Sequence, residues 1–253
     1  MTRIAAALLI ALAMSSVREV GAQVSTEWPQ HSMDRPQPRV VDPGPYRPSG
    51  PPPSDAMVLF DGRSLNQWKS SDAKGGPAPW KVANGVVEIV AKTGSIVTKQ
   101  SFGDVQLHIE FRTPTPPKGE SQERGNSGVF LMGLYEVQVL DSYHNITYAD
   151  GSAGAIYGQF PPLVNASRPP GEWQTYDIVF HRPRFDVAGK VLRPARMTVI
   201  HNGILVQDNV ELSGPTANKQ RPPYVKHPDA LPLALQDHGD PVQYKNIWVR
   251  KLE

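Results

Sequence analysis

Arg124-Gly-Asn-Ser-Gly-Val-Phe-Leu-Met-Gly-Leu-Tyr-Glu-Val-Gln-Val-Leu-Asp141 contains two short apolar runs joined at Met132-Gly133. Successive side chains of a strand point to opposite faces. Val129 and Leu131 therefore share one side of the first run, and Tyr135, Val137 and Val139 share one side of the second. Glu136 and Gln138 point the other way together, beside a Gly125-Asn-Ser-Gly128 entry with little side-chain bulk. With the apolar side turned to a core, this is the layout of a ligand-facing sheet. The same period also describes an antiparallel strand with an ordinary solvated polar face.

Working outward, the alternation continues. Val105, Leu107, Ile109 and Phe111 oppose Gln106, His108, Glu110 and Arg112, giving a second strand with an ionisable stripe. Asn84-Gly85 and Asn202-Gly203 each separate two strand-like runs, and Asn-Gly supplies the positive φ values of a type I′ hairpin turn. Met57–Phe60, Ile96–Thr98, Glu172–Arg182, Leu231–Leu235 and Val242–Arg250 read as further strands. Thr113–Glu123 reads as an exposed loop, and the irregular stretch from Tyr143 to Gly158 as a binding loop beside the polar face. No stretch keeps helical periodicity over three turns. Many short strands separated by turn signals predict an all-β, two-sheet sandwich.

The chain has 253 residues, with 26 Pro and 21 Gly, which fits one all-β domain over residues 55–253. A net charge of +2, scattered rather than clustered, excludes a nucleic-acid surface. Arg3, the apolar run Ile4–Met14 and Val20-Gly21-Ala22 predict a signal peptide over residues 1–22, too short for a membrane span. With no Cys there is no thiol to lipidate and no disulfide, so the expected location is the periplasm or outside the cell. Residues 23–54, rich in Pro, read as a linker or arm, or alternatively as an ordered strap over the domain.

Phosphate-binding glycine loops, nucleophile elbows, zinc helices and dinucleotide fingerprints are all missing from the sequence. Two constellations remain. Glu136, Gln138 and Asp141 are spaced E-x-Q-x-x-D, and a bulge after Val139 would bring Asp141 to the face of Glu136. This partly matches the E-x-D-x-x-E run of some β-sandwich glycosidases, with an amide in place of the middle acid. The other is Gln236-Asp237-His238-Gly239 at a strand end. Asp237 either fixes the tautomer of a catalytic His238 or caps the turn through backbone amides, leaving His238 at the rim.

Taken together, Leu59-Phe-Asp-Gly62 with Trp68, Trp80-Lys-Val with Asn84-Gly85, Glu110-Phe-Arg112, Gly125-Asn-Ser-Gly-Val-Phe130, Tyr135-Glu-Val-Gln138, Gly154-Ala-Ile-Tyr157, Gly171-Glu-Trp173, Asn202-Gly203 and Leu235-Gln-Asp-His-Gly239 resemble the 3-keto-disaccharide hydrolase domain family. The resemblance covers about residues 56 to 252, in the family's order. It implies a concanavalin-like jelly-roll β-sandwich of two antiparallel sheets, export, and a carbohydrate substrate whose C3 hydroxyl an upstream sugar 3-oxidoreductase has oxidised. Met132 stands where many members carry Arg, which would shift that contact to Arg112 or Arg124.

A C3 ketone acidifies the proton on C2, and its loss lets the C1 substituent leave by elimination; water then adds at C1. One base suffices, so Gln138 is tolerated. Glu136 or His238 is the candidate base; Gln138, Gln236 or Arg112 would hold the enolate, with Asp237 orienting His238. Asn126, Tyr157 and Trp68 are candidate sugar contacts, and Glu110 and Asp141 complete the candidate substrate-binding set. No cofactor is required; a divalent cation, calcium or another, is compatible with the oxygen ligands, though no spacing demands one. The other readings are a carbohydrate-binding module without chemistry and a conventional β-sandwich glycosidase acting on unoxidised glycans.

Overall fold

The computed structural model describes residues 28–252, so the expected signal peptide lies outside the described residues. The strands are β1 (Arg39–Val40), β2 (Met57–Phe60), β3 (Trp68–Ser70), β4 (Lys81–Ala83), β5 (Val86–Glu88) and β6 (Ile96–Phe102). They continue with β7 (Val105–Arg112), β8 (Ser127–Leu131), β9 (Tyr135–Val139), β10 (Val164–Asn165), β11 (Gln174–His181) and β12 (Arg184–Phe185). The last are β13 (Val191–Arg193), β14 (Arg196–His201), β15 (Ile204–Glu211), β16 (Leu231–Leu235) and β17 (Gln243–Lys251). Ser121–Glu123 and Ala149–Gly151 form short 3-10 turns. Among the described residues no helix is long and apolar enough to cross a membrane.

The expected jelly-roll sandwich is the architecture found. The larger sheet runs β15-β14-β11-β7-β17-β5-β4, with β2 also paired to β17, and the smaller runs β3-β6-β16-β8-β9. Pairing within both is antiparallel. The Asn-Gly turns lie where expected, with both residues of each pair at positive φ. Met132 and Gly133 make the same kind of turn between β8 and β9, at φ 55° and 66°, with the Met132 side chain buried. The position expected to differ from Arg is therefore a turn residue facing the interior.

Val129, Leu131, Tyr135, Val137 and Val139 of the smaller sheet meet Leu107, Ile109, Phe111, Tyr176 and Ile178 of the larger in one core. Two phenols tie the layers: Tyr176 donates to the Gln138 carbonyl at 2.8 Å and Tyr244 to Ser127 Oγ at 2.6 Å. These bonds anchor the strands carrying the polar face from beneath.

Residues 28–54 run along the sandwich. Gln30 Nε2 donates to the Ala217 carbonyl, His31 N to Asp150 Oδ2, and Gln37 Nε2 to the Thr147 carbonyl. β1 then pairs in parallel with β10, Gly44 accepts from Arg168 Nε, and Tyr46 donates to Glu110 Oε2 at 2.6 Å. Proline-rich chain that cannot form a core of its own is thus tied down by polar contacts to the folded layers.

Candidate active site

The β8–β9 hairpin builds the site floor. Its pairing sets Phe130 opposite Glu136 and Gly128 opposite Gln138. A Cβ on Gly128 would lie 2.5 Å from Glu136 Oε1, so the absent side chain is what gives the carboxylate its room. The Asn126 amide donates to Asp240 Oδ2 at 2.8 Å, pinning the entry to β8.

β9 is the last strand of its sheet, and irregular chain closes its outer edge. Gln138 N donates to the Ala155 carbonyl and Gly154 N to the Gln138 carbonyl, both at 3.0 Å, while Tyr157 N reaches the Glu136 carbonyl. Thr216 N bonds the Leu134 carbonyl, and Glu136 N donates to Thr216 Oγ1. The polar face is consequently covered: Glu136 is 4% exposed and Gln138 1%. An ordinary solvated face is not what the strand presents.

Beneath these segments lies a cavity of about 230 Å³. It brings together six of the residues expected from the sequence: Asn126, Glu136, Gln138, Tyr157, Gln236 and His238. Phe130, Thr216, Ala217 and Asn218 complete it. The last three belong to Gly214-Pro-Thr-Ala-Asn218, whose small polar residues after a Gly-Pro pair were the one available sign of a functional turn.

The amides are oriented by one another. Gln138 Nε2 donates to Gln122 Oε1 at 3.1 Å and Asn126 Oδ1 at 3.2 Å, and Asn126 Nδ2 donates to the Gln122 carbonyl at 2.7 Å. Gln138 therefore offers its oxygen, as an acceptor. Gln236 holds β16 to β8 through its main chain, donating to the Gly128 carbonyl and accepting from Ser127 Oγ. Its side-chain amide lines the cavity with no hydrogen bond among the described residues. His238 is exposed at the mouth.

No side chain among the described residues forms an ion pair with Glu136 or donates to its carboxylate. Burial alone pushes its carboxyl up from 4.5 to about 8. Burial likewise raises the Tyr157 phenol, whose hydroxyl meets that of Tyr148 at 2.9 Å.

The remaining expected residues stand elsewhere. Asp141 does not turn into the cavity; it accepts from Arg124 Nε at 2.7 Å and from Tyr143 N, an ion pair and turn cap. Asp237 accepts from the backbone amides of Gly94 and Gly239 rather than from His238, as expected of a turn cap. Glu110 belongs to the larger sheet. Burial disfavours its charge, but bonds from His108, Asn246 and Tyr46 outweigh that and hold its carboxyl well below the usual range. Arg112 donates to Gln243 Oε1 at 2.6 Å and lies over Trp173, in a separate cavity of about 320 Å³. Arg112 and Arg124 thus both stand outside the cavity that holds Glu136.

Trp68 is 2% exposed and donates to the Leu59 carbonyl at 2.9 Å, so it is core rather than a sugar platform. Trp68→Ala is expected to destabilise the fold by about 3–5 kcal/mol. Denaturant unfolding checks this, and a raised KM with unchanged stability would contradict it. Among the described residues no three His, Asp or Glu side chains converge as a metal-binding group.

The family model of the 3-keto-alpha-glucoside-1,2-lyase-like domain matches residues 55–250. The chain is 22% identical over 244 residues to the 3-keto-disaccharide hydrolase of Bacteroides thetaiotaomicron, with 78% of each covered. A crystal structure of a proposed glycosyl hydrolase from Parabacteroides distasonis superposes with a TM-score of 0.75 at 46% identity, covering 82% of this chain and 94% of that one. A second from the same organism has a TM-score of 0.56 at 20% identity, covering 79% and 94%, and shares the fold. The match over most of the chain places this protein in the 3-keto-alpha-glucoside-1,2-lyase-like domain family.

Proposed function

We propose that the protein cleaves glycosides carrying a ketone at C3, with Glu136 as the base that takes the C2 proton. The observation that carries this reading is a desolvated carboxylate, single and unpaired among the described residues, in a cavity whose other polar lining is amide, hydroxyl and imidazole. Two-carboxylate glycosidases need a second acid about 5–9.5 Å from the first, and among the described residues Glu136 is the one carboxylate that lines this cavity. Elimination needs only one base.

In this scheme Glu136 removes the C2 proton and the electron pair moves to the C3 oxygen as an enolate. Gln236, the amide with its hydrogens free, donates to that oxygen, while Gln138 accepts from a sugar hydroxyl. The enolate re-forms the ketone, a C1–C2 double bond appears and the C1–O bond breaks. Tyr157 gives the departing oxygen a proton and recovers one through Tyr148. Water adds at C1 and the proton returns to C2, for net hydrolysis. The scheme places a sugar 3-oxidoreductase upstream.

A base must be ionised to act. kcat/KM on a keto substrate is therefore expected to rise about tenfold per pH unit and level off above about 8. A profile flat from pH 5 to 9 would remove Glu136 from the role.

The deciding assay incubates the protein, with and without chelator, with a 3-keto-disaccharide and with its unoxidised parent in deuterated water, followed by NMR. Cleavage of the keto sugar alone, with deuterium entering at C2, is the expected result. Turnover of the parent would indicate a conventional glycosidase, and binding without turnover a sugar-binding module.

A further inference from the structure

A second, more open groove of about 470 Å³ abuts the cavity, lined by His31, Gln122, Glu123, Tyr148, Asn218 and Lys219. Three contacts connect the two spaces. Asn218 lines both. The hydroxyls of Tyr157, in the cavity wall, and Tyr148, in the groove, meet at 2.9 Å. Gln122, in the groove, accepts from the Gln138 side chain of the cavity.

Part of the groove wall comes from the N-terminal arm, which lies outside the region matched by the family model. His31 stacks on Tyr148, with ring centroids 4.0 Å apart at 17°, and meets the edge of Tyr157 at 5.0 Å. It does so at a φ of 62°, a conformation uncommon for a residue with a side chain. Its amide is held by Asp150 Oδ2, and Gln30 beside it bonds the carbonyl of Ala217, next to Asn218. Among the described residues, His31 Nε2 and Asp150 Oδ1 are buried polar atoms without a hydrogen-bond partner. Such atoms are rare enough in folded proteins to call for an explanation.

We infer that the groove is the subsite for the departing sugar, a second hexopyranose unit, and that His31 of the arm builds its wall. The inference rests on the proposed reaction, in which the keto ring occupies the cavity with Glu136. The C1 substituent then crosses the Tyr157–Tyr148 pair into the groove. Imidazole and phenol faces suit the C–H faces of a sugar ring. The Glu123 carboxylate accepts from hydroxyls, and Lys219 and the amides donate to them. The cavity is smaller than the roughly 300–1,000 Å³ that encloses a drug-sized ligand, so it suits one ring and leaves the second to the groove.

The test uses the full chain with His31→Ala and, as a variant at an exposed position away from the core, Lys219→Ala. Steady-state constants are measured on a 3-keto-disaccharide and on a methyl 3-keto-glycoside, which has no second ring. The ratio of KM for the disaccharide to KM for the methyl glycoside is expected to rise about tenfold in His31→Ala, with a smaller rise in Lys219→Ala. An unchanged ratio in both variants overturns the subsite. If the wild-type protein turns over neither compound, the proposed reaction fails. The groove is then judged by calorimetric binding of the unoxidised disaccharide and of its monosaccharide. Weaker disaccharide binding in the variants supports it, and equal binding overturns it.

Discussion

Glu136→Gln is expected to lower kcat on a 3-keto-disaccharide by about 10²–10⁴-fold, the usual contribution of a positioned general base. The same substitution is expected to stabilise the fold at alkaline pH. The folded-state pKa of Glu136 is raised from 4.5 to about 8, so between those values the folded chain binds more protons than the unfolded one. Stability therefore falls as pH rises through that window, and above it the buried charge carries its full penalty. With about 1.4 kcal/mol per pKa unit, the neutral amide should gain a few kcal/mol at pH 9 and almost nothing at pH 4. Turnover assays paired with unfolding midpoints at both pH values check the two halves. Loss of activity with lower stability at pH 9 would mean that the carboxylate supports the fold rather than the chemistry.

Gly128→Ala is expected to reduce kcat by about 10²-fold, the penalty for displacing a reacting group by about 1 Å. Gly128 is not at positive φ, so the backbone accepts a side chain. Crowding is the source of the effect. The added Cβ would approach Glu136 Oε1 to 2.5 Å and Phe130 Cε2 to 2.7 Å, closer than either atom tolerates. The carboxylate must turn away, while stability changes by about 1–3 kcal/mol, as overpacking commonly does. Circular dichroism with steady-state kinetics separates the effects, and undiminished kcat would show that the carboxylate need not sit where it does.

The β8–β9 hairpin, its two faces and the Asn-Gly turns could be read from period and turn chemistry, because side-chain alternation and positive φ are local properties. Five cavity residues followed from that reading and from the Gln236–His238 cluster, and the sixth, Tyr157, lies in the irregular stretch that reads as a binding loop. Alternation says which face of a strand a residue takes, but not which sheet the strand joins. Glu110 and Arg112 shared the pattern of Glu136 and Gln138, yet β7 lies in the middle of the larger sheet. An aromatic such as Trp68 fits a core or a platform equally well until its surroundings are known. Asp141 went to the Arg124 guanidinium, a partner that no spacing rule specifies, while Asp237 took the turn-capping one of its two readings. Thr216, Asn218 and His31 lie in aperiodic chain whose course is fixed by tertiary hydrogen bonds.

The chain that covers the outer edge of β9 also makes part of the cavity wall, because residues 154–157 bond the strand while Tyr157 lines the site. An uncovered strand at a sheet margin invites pairing with another molecule. Enlarging the pocket by loosening this loop would therefore expose a sticky seam. Substrate breadth and resistance to self-association are set against each other in the same few residues, which favours widening the repertoire from the open groove instead.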